Sequence, residues 1–400
     1  MLELRIERVV AGGDGLARDA SGRVVLVDGA LPGETVTVEL TEDKARFARG
    51  RVHEILEASP ARRTAPCVHV ADGCGGCPWQ WVTPETQRAL KHDIVVDALR
   101  HLGKISEPPV NDTIALIDNA YRTTARVLVV GGRPAYRAAQ SHDPVAIDHC
   151  WISHPSLDDL LAEGRFGSDA HEVELRIGAR TGERMVLGDP TAAGIEMPSD
   201  VQVVGMDDLE AGHNAWIHEE VAGRRWRISA GAFFQIRPDG ADALAELVLA
   251  GVKRPEGGMP RNVIDLYAGV GLFAGVAAAA GTMAIAVEGD RWAAADARVN
   301  LRNLEARVEE HDVHRWVPEP AEVVVADPAR NGLGTRGVAV AVGCAPNRIV
   351  AVHCDPAALG RDAALLIAAE YDLTTVTPVD LFPHTTHVET VSVFTRRADK

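Results

Sequence analysis

Apolar and polar positions alternate with period two through the first 56 residues, in short runs parted by turn signals. Leu2–Val9 leads to Ala11-Gly-Gly-Asp-Gly15, and then come Arg23–Val27, the turn Leu31-Pro-Gly-Glu34, Thr35–Leu40 and Gly50–Ile55. Short strands at this spacing predict a small barrel of the oligonucleotide-binding kind. Lys44–Arg51 then lies on one rim, and Gly12, Gly13 and Gly15 suit turns or bulges that need a positive φ. A helix is predicted over Pro84–Leu102, opened by proline and stopped by Gly103. Alternation returns from Tyr121 to about Trp226, in Val127–Val130, Val173–Ile177, Met185–Leu187 and Arg225–Ile228, and predicts a mixed, mostly β region. Beyond residue 229 the texture changes. Val263–Leu266, Met283–Val287, Glu322–Ala326 and Arg348–Val352 read as strands, and Gly271–Ala280, Arg291–Asn303 and Ala358–Glu370 as helices. Such alternation predicts an α/β unit with a parallel sheet covered on both faces, whose ligands bind at the carboxyl ends of the strands. The expected domains are residues 1–56, 57–228 and 229–400.

Composition adds limits. The N-terminus alternates apolar with charged residues and has no apolar core of signal-peptide length, and no later run is long enough to span a bilayer. A cytoplasmic chain without membrane contact is expected, and a monomer. In a reducing compartment, six cysteines point to metal ligands, a nucleophile or packing rather than disulfides. A net charge of −16 argues against a generally basic surface but leaves local clusters free to bind nucleic acid. Lys44, Arg46, Arg49 and Arg51 form one cluster. Arg122, Arg126, Arg133 and Arg137, interleaved with Tyr121 and Tyr136, form another. Each reads either as a solvated strand edge or as a phosphate-tracking groove.

Asp265-Leu-Tyr-Ala-Gly-Val-Gly-Leu-Phe-Ala274 closes a strand and opens a helix. It also satisfies the loose dinucleotide fingerprint, so a nicotinamide cofactor is one reading. S-adenosylmethionine is favoured, because Asp265 at the strand end suits a cationic amino-acid tail and would repel a pyrophosphate. Glu288, ending the second strand, suits ribose hydroxyls in either case. Asp327-Pro-Ala-Arg330 puts a carboxylate and free carbonyls at the sheet's carboxyl edge, or else simply caps a helix. Cys67, Cys74 and Cys77, with glycines between the last two, form a metal-type motif that Cys150 can complete; zinc and an iron–sulfur cluster both accept four thiolates. Cys344 reads as structural. Cys354 follows a strand, where it is a packing residue or a nucleophile, and Glu389 follows near the C-terminus.

Taken together, these motifs resemble the RNA uracil-5-methyltransferase family over essentially the whole chain. Phe234-Gln235, Asp265–Phe273, Glu288, Asp327-Pro-Ala-Arg330, Cys354-Asp-Pro356 and Phe382-Pro-His-Thr-Thr-His-Val-Glu389 follow the family's motifs in order. The resemblance implies an N-terminal TRAM barrel, a β-rich central domain with a [4Fe-4S] site, preferred over zinc, on Cys67, Cys74, Cys77 and Cys150, and a C-terminal class I Rossmann-like methyltransferase domain. It implies that Gln235, Tyr267, Glu288, Asp312 and Asp327 contact cofactor or base, that Cys354 is the nucleophile and that Glu389 is the base. It also implies RNA as substrate, with ribosomal RNA favoured over transfer RNA. Leu272 stands where the family often has Asn, His353 where Ser is usual, Arg237-Pro-Asp-Gly240 where an Asn-containing run is commoner, and Asp312 where Asn is frequent.

Overall fold

The computed structural model describes residues 1–167 and 169–398. Six strands form the N-terminal barrel sheet, in the order Leu2–Arg5, Thr35–Asp43, Phe47–Glu57, Val24–Asp28, Gly15–Arg18 and Arg8–Val9. Its inward positions, among them Val25, Val27, Val36 and Val38, are fully buried, as the period-two pattern requires. The Thr35–Asp43 and Phe47–Glu57 strands pair as a long hairpin with Lys44 at its tip. The central unit is a second six-stranded sheet, running Val201–Gly205, Arg184–Asp189, Glu172–Ile177, Thr124–Val130, Arg133–Arg137 and Pro144–Ala146. The short helix Pro155–Glu163 packs on it through Leu157, Leu160 and Leu161.

Seven strands form the C-terminal sheet. Across it lie Ala306–Glu310, Met283–Glu288, Asn262–Leu266, Val323–Ala326, Arg348–His353, Glu389–Arg396 and Tyr371–Val379. The first five are parallel. The four strands read from the pattern are among these parallel ones, and at the C-terminal side the sheet gains Glu389–Arg396, which runs antiparallel to both neighbours. A reversal through Asp380–Val388 joins the last two strands, so no crossover helix is needed. The helices Pro238–Val252 and Gly334–Gly343 and the strand Ala306–Glu310 are additional to the elements read from the pattern.

Packing also crosses the expected boundaries. The helix Pro84–His101, within the stretch assigned to the central unit, buries Val95 and Leu99 in one core with Leu359, Ala363 and Leu366 of the helix Pro356–Ala368. Gly360 makes the approach possible, since a Cβ there would stand 2.7 Å from the Ala98 carbonyl oxygen. The hairpin Trp216–Val221/Arg224–Ser229 likewise buries Trp226 against the C-terminal core. Among the described residues no helix is long and apolar enough to cross a membrane.

On the same helix, Lys91 is fully buried and its Nζ donates to Asp380 Oδ1 at 2.5 Å and to the Phe382 carbonyl at 2.9 Å. Removing one partner leaves a buried charge uncompensated. Lys91→Met should therefore destabilise the protein by roughly 3–5 kcal/mol, and the double variant Lys91→Met/Asp380→Leu should recover most of that loss. Denaturant midpoints of the three proteins check both statements.

Candidate active site

The glycine loop turns sharply because three successive alternate residues take left-handed backbone. Tyr267 has φ +61°, Gly269 φ +55° and Gly271 φ +91°, and Gly271 caps the helix Leu272–Ala279. The Tyr267 conformation is unusual for a side-chain-bearing residue. Asp265 is completely buried, and its Oδ2 accepts from the Ala274 amide at 2.8 Å while Oδ1 has no partner. Burial, with Asp327 and Glu288 adding, pushes its carboxyl up to about 8. The Tyr267 hydroxyl is also buried without a partner, and burial and then Asp312 and Asp362 push it up to about 12. Two orphaned polar atoms beside one loop mark a place where a polar ligand would complete the hydrogen bonding. Glu288 steadies the loop, accepting from the Gly269 amide at 2.7 Å and the Asp290 amide at 2.7 Å. Asp312 is exposed and accepts from the His314 amide at 2.9 Å, with the His314 ring 6.1 Å from that of Tyr267. Gln235 is half-buried, without a hydrogen-bond partner among the described residues.

Strand register assembles the second half. His353 pairs with Thr390 across two antiparallel strands, so Cys354 and Glu389 fall opposite each other one step further. Asp327 follows the neighbouring parallel strand at the same edge, its amide donating to the Leu266 carbonyl at 3.3 Å. Burial, then Glu389 and Asp327, push the Cys354 thiol up to about 11, with Arg330 opposing. Burial pushes Asp327 up to about 7. Burial and Asp327 raise Glu389 well above the usual carboxylate range. Three acids in a dry edge resist being ionised together.

Contacts that the sequence did not announce hold this edge. His353 Nε2 lies 2.9 Å from Asp362 Oδ2, and Asp362 also accepts from the Leu333 and Gly334 amides at 2.6 and 2.9 Å, tying down the loop after Asp327. Arg330 donates to His387 Nε2 at 3.2 Å, and burial, then Arg330 and Lys91, lower the His387 imidazole. Arg237, fully buried, pairs with Asp239 and stacks 4.3 Å from the Tyr121 ring centroid.

Comparison with known proteins agrees with this geometry. Residues 1–53 match the TRAM domain. An uncharacterized RNA methyltransferase of Streptomyces avermitilis is 33% identical, over 98% of this chain and 97% of its own length. The 23S rRNA (uracil(1939)-C(5))-methyltransferase RlmD of Methylococcus capsulatus is 32% identical, over 98% of this chain and 96% of its own. The chain belongs to the RNA uracil-C5 methyltransferase family. The Pyrococcus abyssi tRNA (uracil-54, C5)-methyltransferase in complex with S-adenosyl-L-homocysteine shares the fold, with a TM-score of 0.73 and 21% identity over 98% of this chain and 100% of that one. As a member of the family, the protein is an S-adenosylmethionine-dependent RNA methyltransferase.

The four cysteines of the predicted metal motif line one cavity with Arg122 and Tyr136. Among the described residues no group of three His, Cys, Asp or Glu side chains is placed to hold a metal ion as it stands. The donor set nevertheless suits a thiolate-ligated centre, and the orphaned Arg122 Nε and Tyr136 hydroxyl border it. Burial pushes the Cys77 thiol up to about 12. Cys344 is fully buried against the Val340 carbonyl, as its structural reading requires.

Seven of the eight cations predicted to meet RNA are exposed. Five of them already face a carboxylate: Lys44 faces Glu42, Arg49 faces Asp14, Arg51 faces Glu39, Arg126 faces Glu174 and Arg137 faces Glu172. Arg46 and Arg133 form no ion pair among the described residues. Arg122 differs from them: it is half-buried and lines the cysteine cavity, with its Nε buried there.

Cys354 alkylation in the cofactor-free protein should be slow at pH 7 and should climb about tenfold per pH unit below its value of about 11. Asp327→Asn removes a carboxylate that is ionised above about 7, so it should lower the thiol's value and speed alkylation at pH 8. Peptide-mapped iodoacetamide labelling reads both effects.

Proposed function

We propose that this enzyme methylates C5 of a uridine in ribosomal RNA through a covalent bond between Cys354 and uracil C6. The observation that carries the proposal is the register placing Cys354 opposite Glu389, beside Asp327, at the sheet edge that ends in the glycine loop. Ribosomal RNA is preferred over transfer RNA because the named relative with near-complete coverage at 32% identity is a 23S rRNA enzyme.

S-adenosylmethionine supplies an electrophilic methyl group. Uracil C5 is too weak a nucleophile to take it unaided. The Cys354 thiol gives up its proton to solvent, and addition of the thiolate to C6 makes C5 a carbon nucleophile. The sulfur's negative charge passes into the ring at that point and is cancelled when C5 gains the methyl. With that anion gone, Glu389 beside Asp327 can release its own proton to solvent, and the carboxylate so formed accepts the C5 proton. The C5=C6 double bond re-forms as the electron pair of the C6–S bond returns to sulfur. Asp265, with its free Oδ1, is suited to the cofactor's cationic amino-acid end, and Tyr267, Glu288 and Asp312 to its nucleoside. A uridine must leave its stack to reach Cys354, which suits single-stranded or flipped RNA steadied by the barrel. Cys67, Cys74, Cys77 and Cys150 would hold a [4Fe-4S] cluster, which binds the loops carrying them together through sulfur.

Cys354→Ala should abolish 5-methyluridine formation, whereas Glu389→Gln should still add and methylate, then stall as a protein–RNA adduct that resists denaturing electrophoresis. Full turnover by Cys354→Ala overturns the mechanism. Asp265→Asn should weaken S-adenosylhomocysteine binding about ten- to a hundredfold, the loss of one charge-assisted hydrogen bond. Its stability should respond oppositely. Asp265 at about 8 in the folded protein, against 3.8 for the free side chain, makes the native state hold an extra proton between those values. The cofactor-free protein should therefore lose stability as pH rises from 4 toward 8, and Asp265→Asn should flatten that fall in thermal melts.

A further inference from the structure

Among the described residues lining the cysteine cavity, Arg122 is the one guanidinium; it is half-buried, with its Nε buried. It lies in a stretch whose backbone is fixed on both sides, with its amide donating to the Ile152 carbonyl at 2.8 Å and its carbonyl accepting from the His154 amide at 2.9 Å. Among the described residues no carboxylate comes within ion-pair range of it, although most arginines of this chain have one. Its Nε is buried with no hydrogen-bond partner, and the equally unpartnered Tyr136 hydroxyl lines the same cavity. A guanidinium stays protonated in a protein. A buried, unpaired cation costs several kcal/mol unless an anion meets it. Among the described residues lining this cavity there is no carboxylate, and four are cysteines.

Resting on the reading that the four cysteines hold a [4Fe-4S] cluster, we propose that Arg122 is the internal counter-ion of that centre, a positioning residue for the cluster and not an RNA contact. Four thiolates on a 2+ core carry a net charge of 2−, and one electron makes it 3−. A fixed guanidinium whose free Nε–H faces this charge stabilises both states, the reduced state more. A guanidinium held against the cluster's charge is not left free to neutralise a phosphate when RNA binds.

The test uses full-length protein purified without oxygen. Iron and sulfide content of the wild type examines the cluster reading by itself: zinc, or no metal, removes that reading and the proposal with it. Given iron and sulfide, R122M should shift the cluster's midpoint potential to more negative values, and R122K should stay near wild type. R122M protein that loses its iron while R122K keeps it, with the iron-free melting temperatures of both matching wild type, supports the same role. An unchanged potential in fully loaded R122M, or equal loss of iron from R122K and R122M, overturns it. RNA affinity measured against salt gives an independent arm. The slope of log affinity against log salt should be the same in R122K, R122M and wild type, and a slope reduced by about one in R122M would make Arg122 a phosphate contact instead.

Discussion

Four consecutive carbonyls, from Leu381 to His384, are each held by a donor from a different part of the chain. Arg237 of the helix cap takes the first at 3.4 Å, Lys91 of the helix Pro84–His101 the second at 2.9 Å, Tyr121 the third at 3.3 Å and the Trp79 amide the fourth at 2.8 Å. The His384 side chain adds a fifth tie, with Gln87 donating to one ring nitrogen and the other donating to the Asp118 carbonyl. This segment runs straight into Glu389. The Glu389 carboxylate is thus placed by the cysteine-bearing loop, the packed helix and the central region at once. Loss of any of these donors exposes a buried carbonyl and loosens the strand that faces Cys354.

The site itself is built on charge scarcity. Asp265, Asp327, Cys354 and Glu389 all stand where burial discourages ionisation, and the nearest cation, Arg330, is shared with His387. A thiol in such surroundings is inert toward casual electrophiles and gains its reactivity only when a ring is ready to take the charge.

Some of this was readable in the sequence because its determinants are local. The Asp265–Ala274 loop carries strand end, carboxylate, glycines and helix start within ten residues, so one glance at the pattern contains the whole unit. The barrel declared itself in the same way, through period-two runs and turn residues. The direction of the strand Glu389–Arg396 was not readable, because a strand's residue pattern looks alike whichever way it runs. Lys91 and Asp380 are 289 residues apart, and nothing near either one names the other. Arg122 misled for a related reason. Its spacing to Arg126, Arg133 and Arg137 resembles a basic stripe, but it precedes the strand that carries Arg126, pairs with the Ile152–His154 stretch and lines the cysteine cavity. Tyr267 was recognised by resemblance, while its left-handed backbone appears only in three dimensions.

Gly13, in the barrel, packs against Thr386 so closely that a methyl group there would stand 2.3 Å from the threonine's, with Trp79 alongside. The barrel therefore abuts the segment that delivers Glu389 instead of hanging from a tether. A chain of nucleotides held by both would be measured against a rigid ruler. The number of residues of RNA between the barrel's grip and the base at Cys354 becomes a property of the protein, and a loop of the wrong length cannot present its uridine even when the sequence around it is right.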